Sequence, residues 1–152
     1  MLHTLTADRI VSSLQATGKK DVLQELASLM HAACPSCGTE EDIFAVLSER
    51  EQIGSTAFGE GVAIPHGKIE KLDRIEILFG RSIRGIPFAA VDNKPVHLFF
   101  MLLAPAESSG PYLKTLAMLA RFLKSSHIRS QLLHAETSEE IAQIFASARE
   151  FR

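Results

Sequence analysis

Two hydrophobic rhythms divide this chain into helices and strands. In residues 21–33, Val22, Leu23, Leu26, Leu29, Met30 and Ala33 recur every three or four positions, which predicts an amphipathic helix. Thr39, three residues before Asp42, resembles the start of a capping box, and Ile43, Phe44, Val46 and Leu47 give a second helix one apolar face. Later, Leu113, Leu116, Ala117, Ala120 and Leu123 mark a third apolar face, with Pro111 in the first turn, where its missing N–H costs nothing. Ile128, Leu132 and Leu133 suggest a short helix. Thr137 and Glu140 predict a capped final helix carrying Ile141, Ile144, Phe145 and Ala148.

The other rhythm has the period of a strand. Residues 9–14 can include a short strand before Thr17 and Gly18 break the pattern. Val62, Ala63 and Ile64 predict a brief buried strand that Pro65 should stop. Ile75, Ile77 and Phe79 alternate with Glu76 and Leu78, as a half-buried strand would, and residues 96–103 form a nearly continuous apolar run suited to a central strand covered on both faces. Between them, residues 83–91 suggest an irregular edge and residues 92–95 a turn. The charged stretch 68–74 and the Pro, Ser and Gly-rich stretch 104–111 predict exposed connections. Alternating strands and helices give an α/β class with a sheet between helix layers.

Composition narrows the functional classes. At 152 residues and 46% hydrophobic content, the chain suits one globular domain over residues 1–152. A net charge of −2 predicts no bulk attraction to nucleic acid or anionic membrane. No apolar run reaches the ~18 residues of a membrane span, and no leader pattern opens the chain, so the expectation is cytoplasmic, without membrane insertion. Cys34 and Cys37 follow a predicted helix, the wrong end for lowering a thiolate pKa. With His31 they supply three zinc ligands where structural zinc takes four. The expectation is therefore a loop with incidental thiols and no metal.

The candidate chemistry lies at His66. Pro65 holds that imidazole at the end of a strand, and Gly67 lets the backbone turn away without a Cβ in front of a ligand. An imidazole of unperturbed pKa about 6.5 is largely neutral at cell pH and can act as a nucleophile or a metal ligand. The Gly54 loop before it offers backbone N–H groups and the Ser55 and Thr56 hydroxyls, which suit phosphoryl oxygens. The spacing alone leaves open a turn histidine with no chemistry. His3, His127 and His134 belong to no pattern and are expected on the surface. His97, in an apolar strand, reads as a hydrogen-bonded core residue, with a place near His66 as the other option.

The run Arg50-Glu51-Gln52-Ile53-Gly54-Ser55-Thr56, followed by Ile64-Pro65-His66-Gly67-Lys68, closely resembles the type-2 IIA domains of the bacterial phosphoenolpyruvate-dependent phosphotransferase system. The likeness continues through Ile86-Pro87-Phe88, Asp92-Asn93-Lys94-Pro95-Val96, Ala104-Pro105 and the helix with Leu113, and is greatest to the nitrogen-regulatory branch. It implies a five-stranded mixed sheet flanked by helices, His66 as acceptor of a phosphoryl group through Nε2, an HPr-like phosphocarrier as donor, and no cofactor. Arg50 matches the arginine bordering the phosphorylation site, and Arg50, Ser55, Thr56 and Tyr112 are candidates for phosphate binding or for shaping the site. Three positions depart from the pattern. Tyr112 stands where the family commonly has a second histidine, His97 replaces an Asp, and Ala57-Phe58 replaces Gly-Ile. A free-standing nitrogen-regulatory IIA is the leading expectation. A sugar-specific IIA serving a IIB protein and a binding-only regulator that has lost phosphotransfer are the alternatives. A hydrolase using Ser55 and His66 is disfavoured, since no nucleophile elbow or orienting acid is present.

Overall fold

The computed structural model describes residues 5–149, so His3 lies outside the described residues. A 3-10 turn over Ala7–Arg9 leads into β1 (Ile10–Val11), followed by α1 (Lys19–Ala33), a 3-10 turn Pro35–Cys37 and α2 (Glu40–Ile53). Three short strands come next: β2 (Ala57–Gly59), β3 (Val62–Ala63) and β4 (His66–Ile69). The long strands β5 (Glu76–Ile86) and β6 (Val96–Pro105) precede α3 (Ser109–Lys124), α4 (Ser126–His134) and α5 (Ser138–Ser147).

These strands form one mixed sheet of six, in the order β1-β5-β6-β3-β2, with β4 also on β6. Five strands were expected, and the sixth arises because one edge of β6 is paired twice. Val62 and Ala63 lie parallel to Leu98 and Phe99; after a two-residue gap His66 resumes the parallel ladder opposite Leu102. Pro65 thus interrupts the strand, having no N–H to give, while its carbonyl still accepts from Leu102 N–H at 2.9 Å. β5 runs antiparallel to β6, and β1 parallel to β5. The turn between β2 and β3 uses Glu60 (φ 56°) and Gly61 (φ 76°), two left-handed residues in succession, the geometry that matches strand twist in a tight hairpin.

The period-two pattern of β6 separates two cores. Phe99, Met101 and Leu103 face α1 and α2 with Leu26, Met30, Ile43 and Leu47. Leu98, Phe100, Leu102 and Ala104 face α3, α4 and α5, where Phe79, Phe100 and Phe145 meet edge to face at 5.1–5.2 Å between ring centroids. β6 is therefore the central, doubly covered strand its apolar run predicts. β5 is longer and more buried than its alternation suggested. It continues past the irregular 83–91 region's start as far as Ile86, with a register shift between Arg81 and Ile86. The buried Arg81 side chain ties this strand to its neighbours, donating to the carbonyls of Ser12, Leu132 and Ala135.

Four local expectations are corrected. In α3 the buried residues are Thr115, Leu119, Phe122 and Leu123, whereas Leu113 is 64% exposed. The apolar stripe assigned from Leu113 was about one helical position out of phase, because Phe122 and Thr115 carry the contact. Similarly, Leu133 is exposed while Leu132 is buried in α4. Cys34 and Cys37 are joined in a disulfide, with both residues buried in the turn between α1 and α2. His31 holds the same turn from outside, its Nδ1–H donating to the Gly38 carbonyl at 2.8 Å. Finally, residues 66–69 form a strand where an exposed, turning connection was expected. Among the described residues no helix is long and apolar enough to cross a membrane.

Candidate functional site

The site forms where the broken edge strand, the end of α2 and the start of α3 meet. In the parallel ladder His66 lies opposite Leu102 and Gly67 opposite Leu103, so the two side-chain positions fall on opposite faces of the sheet. His66 faces α3. Gly67 faces α2, where a Cβ would come within 2.1 Å of Val46 Cγ1. The glycine is needed for this close helix–strand approach, and the chain does not turn away there as expected from the sequence. The same approach brings the last turn of α2, with Arg50, to the imidazole.

Two hydrogen bonds fix the ring. Nδ1 lies 2.6 Å from the Ile64 carbonyl, and Arg50 Nε–H points at Nε2 over 3.2 Å. A carbonyl can only accept and a guanidinium can only donate, so Nδ1 carries the proton and Nε2 the lone pair. Burial, followed by the Arg50 charge, lowers the His66 pKa from its ordinary value, against opposing contributions from the Ile64 bond and Glu51. The result is a half-buried neutral imidazole whose basic nitrogen faces an arginine.

The loop leading to it is self-satisfied. Arg50 Nη1 also donates to the Gly54 carbonyl at 2.8 Å. Ser55 Oγ donates to the Phe88 carbonyl at 2.9 Å and accepts from Ala57 N–H at 3.1 Å. The Thr56 hydroxyl and N–H both donate to the buried Glu51 carboxylate, which is also paired with Lys19 Nζ at 3.0 Å. Both hydroxyls are thus engaged in holding the loop. Glu51 was missed in the sequence because a charged helix end resembles a solvated one; its position five residues before Thr56 was the available clue.

Tyr112, in the first turns of α3, meets the His66 ring edge to face with centroids 5.7 Å apart. Burial raises its phenol pKa, against a smaller opposing effect from Arg50, and keeps it neutral at cell pH. Lys68, two residues beyond His66 on β4, reaches the same place: its Nζ donates to Ser109 Oγ at 3.0 Å and lies 5.3 Å from the Tyr112 ring centroid. Nothing in its spacing along the sequence sets it apart from the charged stretch 68–74. His97 is not brought to the site. It pairs through Nδ1 with the Ser82 carbonyl at 2.9 Å, five residues along β6 from Leu102, or about 17 Å at strand spacing. His127 and His134 are exposed. A cavity of about 560 Å3 lined by Arg9, Arg74, Glu76, Ser108 and Pro111 borders the start of α3, but His66, Arg50 and Tyr112 do not line it.

This arrangement can present a nitrogen nucleophile to a partner and receive an anion between Arg50 and α3. No group of three or more His, Cys, Asp or Glu suited to a metal occurs among the described residues. The family model for the phosphoenolpyruvate-dependent sugar phosphotransferase system, EIIA 2, matches residues 3–148. A nitrogen regulatory protein of Bradyrhizobium diazoefficiens is 42% identical over 139 residues, covering 91% of this chain and 90% of that protein. A fructose-specific EIIABC component from Bacillus subtilis is 34% identical over 92% of this chain, which spans 22% of that longer protein. The crystal structure of nitrogen regulatory protein IIA-Ntr from Neisseria meningitidis superposes with a TM-score of 0.88 at 34% identity, covering 94% of this chain and 97% of that one. By sequence and fold together, the chain belongs to the type-2 EIIA family of the phosphoenolpyruvate-dependent phosphotransferase system.

Proposed function

We propose that this protein is a nitrogen-regulatory-type IIA that accepts a phosphoryl group on His66 Nε2 from an HPr-like phosphocarrier and signals its phosphorylation state to partner proteins. The observation that carries this reading is the pair of hydrogen bonds on His66, which leaves the lone pair on Nε2 beside a phosphate-matched guanidinium. As the donor approaches in line, its N–P bond breaks while the Nε2–P bond forms. No proton has to leave Nε2. The positive charge gained by the ring is spread to Nδ1–H, which keeps its bond to Ile64, and Arg50 moves its N–H from the lone pair to the incoming oxygens. Ser55, Thr56 and Glu51 act as positioning residues that hold the Gly54 loop. The phosphoryl group adds about −1.5 to −2 charge at the protein surface, enough to change which partner docks.

The similarity to nitrogen regulatory proteins favours the regulatory branch. The similarity to a fructose-specific component supports a second reading, transfer onward to a sugar-specific IIB protein. The test is intact mass under non-acidic conditions after incubation with phosphoenolpyruvate and a nitrogen-type phosphorelay. Wild type should gain one phosphoryl group and His66→Ala none. An unlabelled wild type beside a labelled related IIA would leave binding without phosphotransfer. Rapid discharge to a fructose-type IIB would favour the sugar reading.

A further inference from the structure

We infer that Lys68 is a phosphoryl-binding residue of this site, the counterpart of Arg50 on the α3 side; the inference rests on phosphorylation at His66. In a strand, residues two apart share a face, so Lys68 leaves β4 on the same side as His66. Its ammonium does not extend into solvent at random. It is drawn to Ser109 Oγ at 3.0 Å and sits over the Tyr112 ring, which itself contacts the imidazole. Both interactions of the ammonium are with neutral groups. Among the described residues neither Lys68 nor Arg50 has a carboxylate within ion-pair distance, whereas Arg9, Lys19, Arg74 and Arg129 all do.

Arg50, on α2, thus bonds the neutral imidazole directly, while Lys68, on β4, lies over the Tyr112 ring beside it, both without a carboxylate partner among the described residues. An anion bound at Nε2 is attracted by both charges. A phosphoryl group on Nε2 is that anion. Arg50 is fixed by its bond to Gly54 and gives directed N–H bonds; Lys68 is a point charge on a flexible stem and can follow the oxygens from Ser109 to the phosphoryl group. Tyr112 keeps the stem against the sheet. Lys68 therefore supplies, from the strand, a positive charge that the neutral Tyr112 phenol lacks.

The test compares wild type with Lys68→Met and Lys68→Arg, using the same phosphorelay. Lys68 is exposed, so neither change disturbs the core. Lys68→Met should be phosphorylated about tenfold more slowly, a smaller loss than for a rigid buried donor. In 31P NMR its phosphoryl group should titrate about half a unit higher, because a nearby cation favours the dianion. Lys68→Arg should stay within about twofold of wild type on rate. Phosphorylated wild type with Lys68→Met identical to it in rate and in 31P titration overturns the role of Lys68 alone. A slower rate with an unchanged 31P titration also overturns it and makes Lys68 a donor-docking residue. Absence of phosphate on wild type overturns this inference and the phosphotransfer reading together.

Discussion

Arg50 Nε lies 3.2 Å from His66 Nε2, so in the proposed phosphotransfer the guanidinium that would bind a phosphoryl oxygen caps the imidazole lone pair in the resting protein. Its charge also makes protonation of His66 harder, second to burial. Arg50→Met should therefore raise the His66 pKa while slowing phosphorylation. His66 shifts in an NMR titration would check the first, since a merely steric role for Arg50 would leave that pKa unmoved.

The direction of the His66 shift fixes a pH dependence. Its folded-state pKa lies below the unfolded value of about 6.5, so the folded state favours the neutral ring. This contribution to stability is present above the unfolded pKa and is lost as pH falls through the folded one. Phosphorylation by a donor held in excess should likewise decline as pH falls, with its midpoint below pH 6.5. A decline centred at or above pH 6.5 would contradict a depressed pKa.

Gly67 answers to α2. Gly67→Ala places a methyl group 2.1 Å from Val46 Cγ1 and should destabilise the fold by about 1–3 kcal/mol, as overpacking does. Adding Val46→Ala should recover part of the loss. Denaturant titration of wild type and the two variants measures both effects, and Arg50 should return to His66 only where α2 can close on β4.

Behind the Gly54 loop, the Glu51 carboxylate joins Thr56 to Lys19. Thr56→Val removes one hydroxyl donor and should cost about 1 kcal/mol. Glu51→Ala leaves the Thr56 N–H unpaired and should cost about 2–3 kcal/mol, the partial exposure of Lys19 keeping it below the figure for a fully buried pair. Both should slow phosphorylation, because the loop that orients Arg50 through Gly54 is loosened.

The Cys34–Cys37 disulfide closes a short loop between α1 and α2, so its reduction should lower stability by about 2 kcal/mol on loop-closure grounds. Thermal unfolding with and without a dithiol reductant, together with a thiol count, checks this. Two free thiols in the untreated protein would contradict the pairing.

Much of this architecture is legible in the sequence, because the rhythms of β6, α1 and α2 follow directly from burial on one or two faces. The apolar run of β6 marks it as the strand between two cores. What escapes is set by partners distant in the chain. The phase of α3 turns on Thr115 and Phe122, whose burial depends on where the helix meets the sheet. Gly67 looks like a turn residue until Val46 is seen beside it. The Cys34–Cys37 pairing depends on the tight turn that Pro35 begins. At the site, His66, Arg50, Tyr112, Ser55 and Thr56 could be named from the family pattern, but not which of phosphate binding or loop shaping Ser55 and Thr56 perform, nor the parts of Glu51 and Lys68. Those parts are set by which hydrogen-bond partner each finds, and sequence spacing does not record it.

In the proposed reaction His66 Nε2 receives the phosphoryl group while Nδ1 keeps its proton. Long-range 1H–15N NMR of the protein labelled at histidine nitrogen, recorded before and after phosphorylation, tests it most directly. The expected result is a resting ring protonated on Nδ1 and a phosphorylated ring bearing the group on Nε2. A phosphoryl group on Nδ1, or on any residue other than His66, would contradict it.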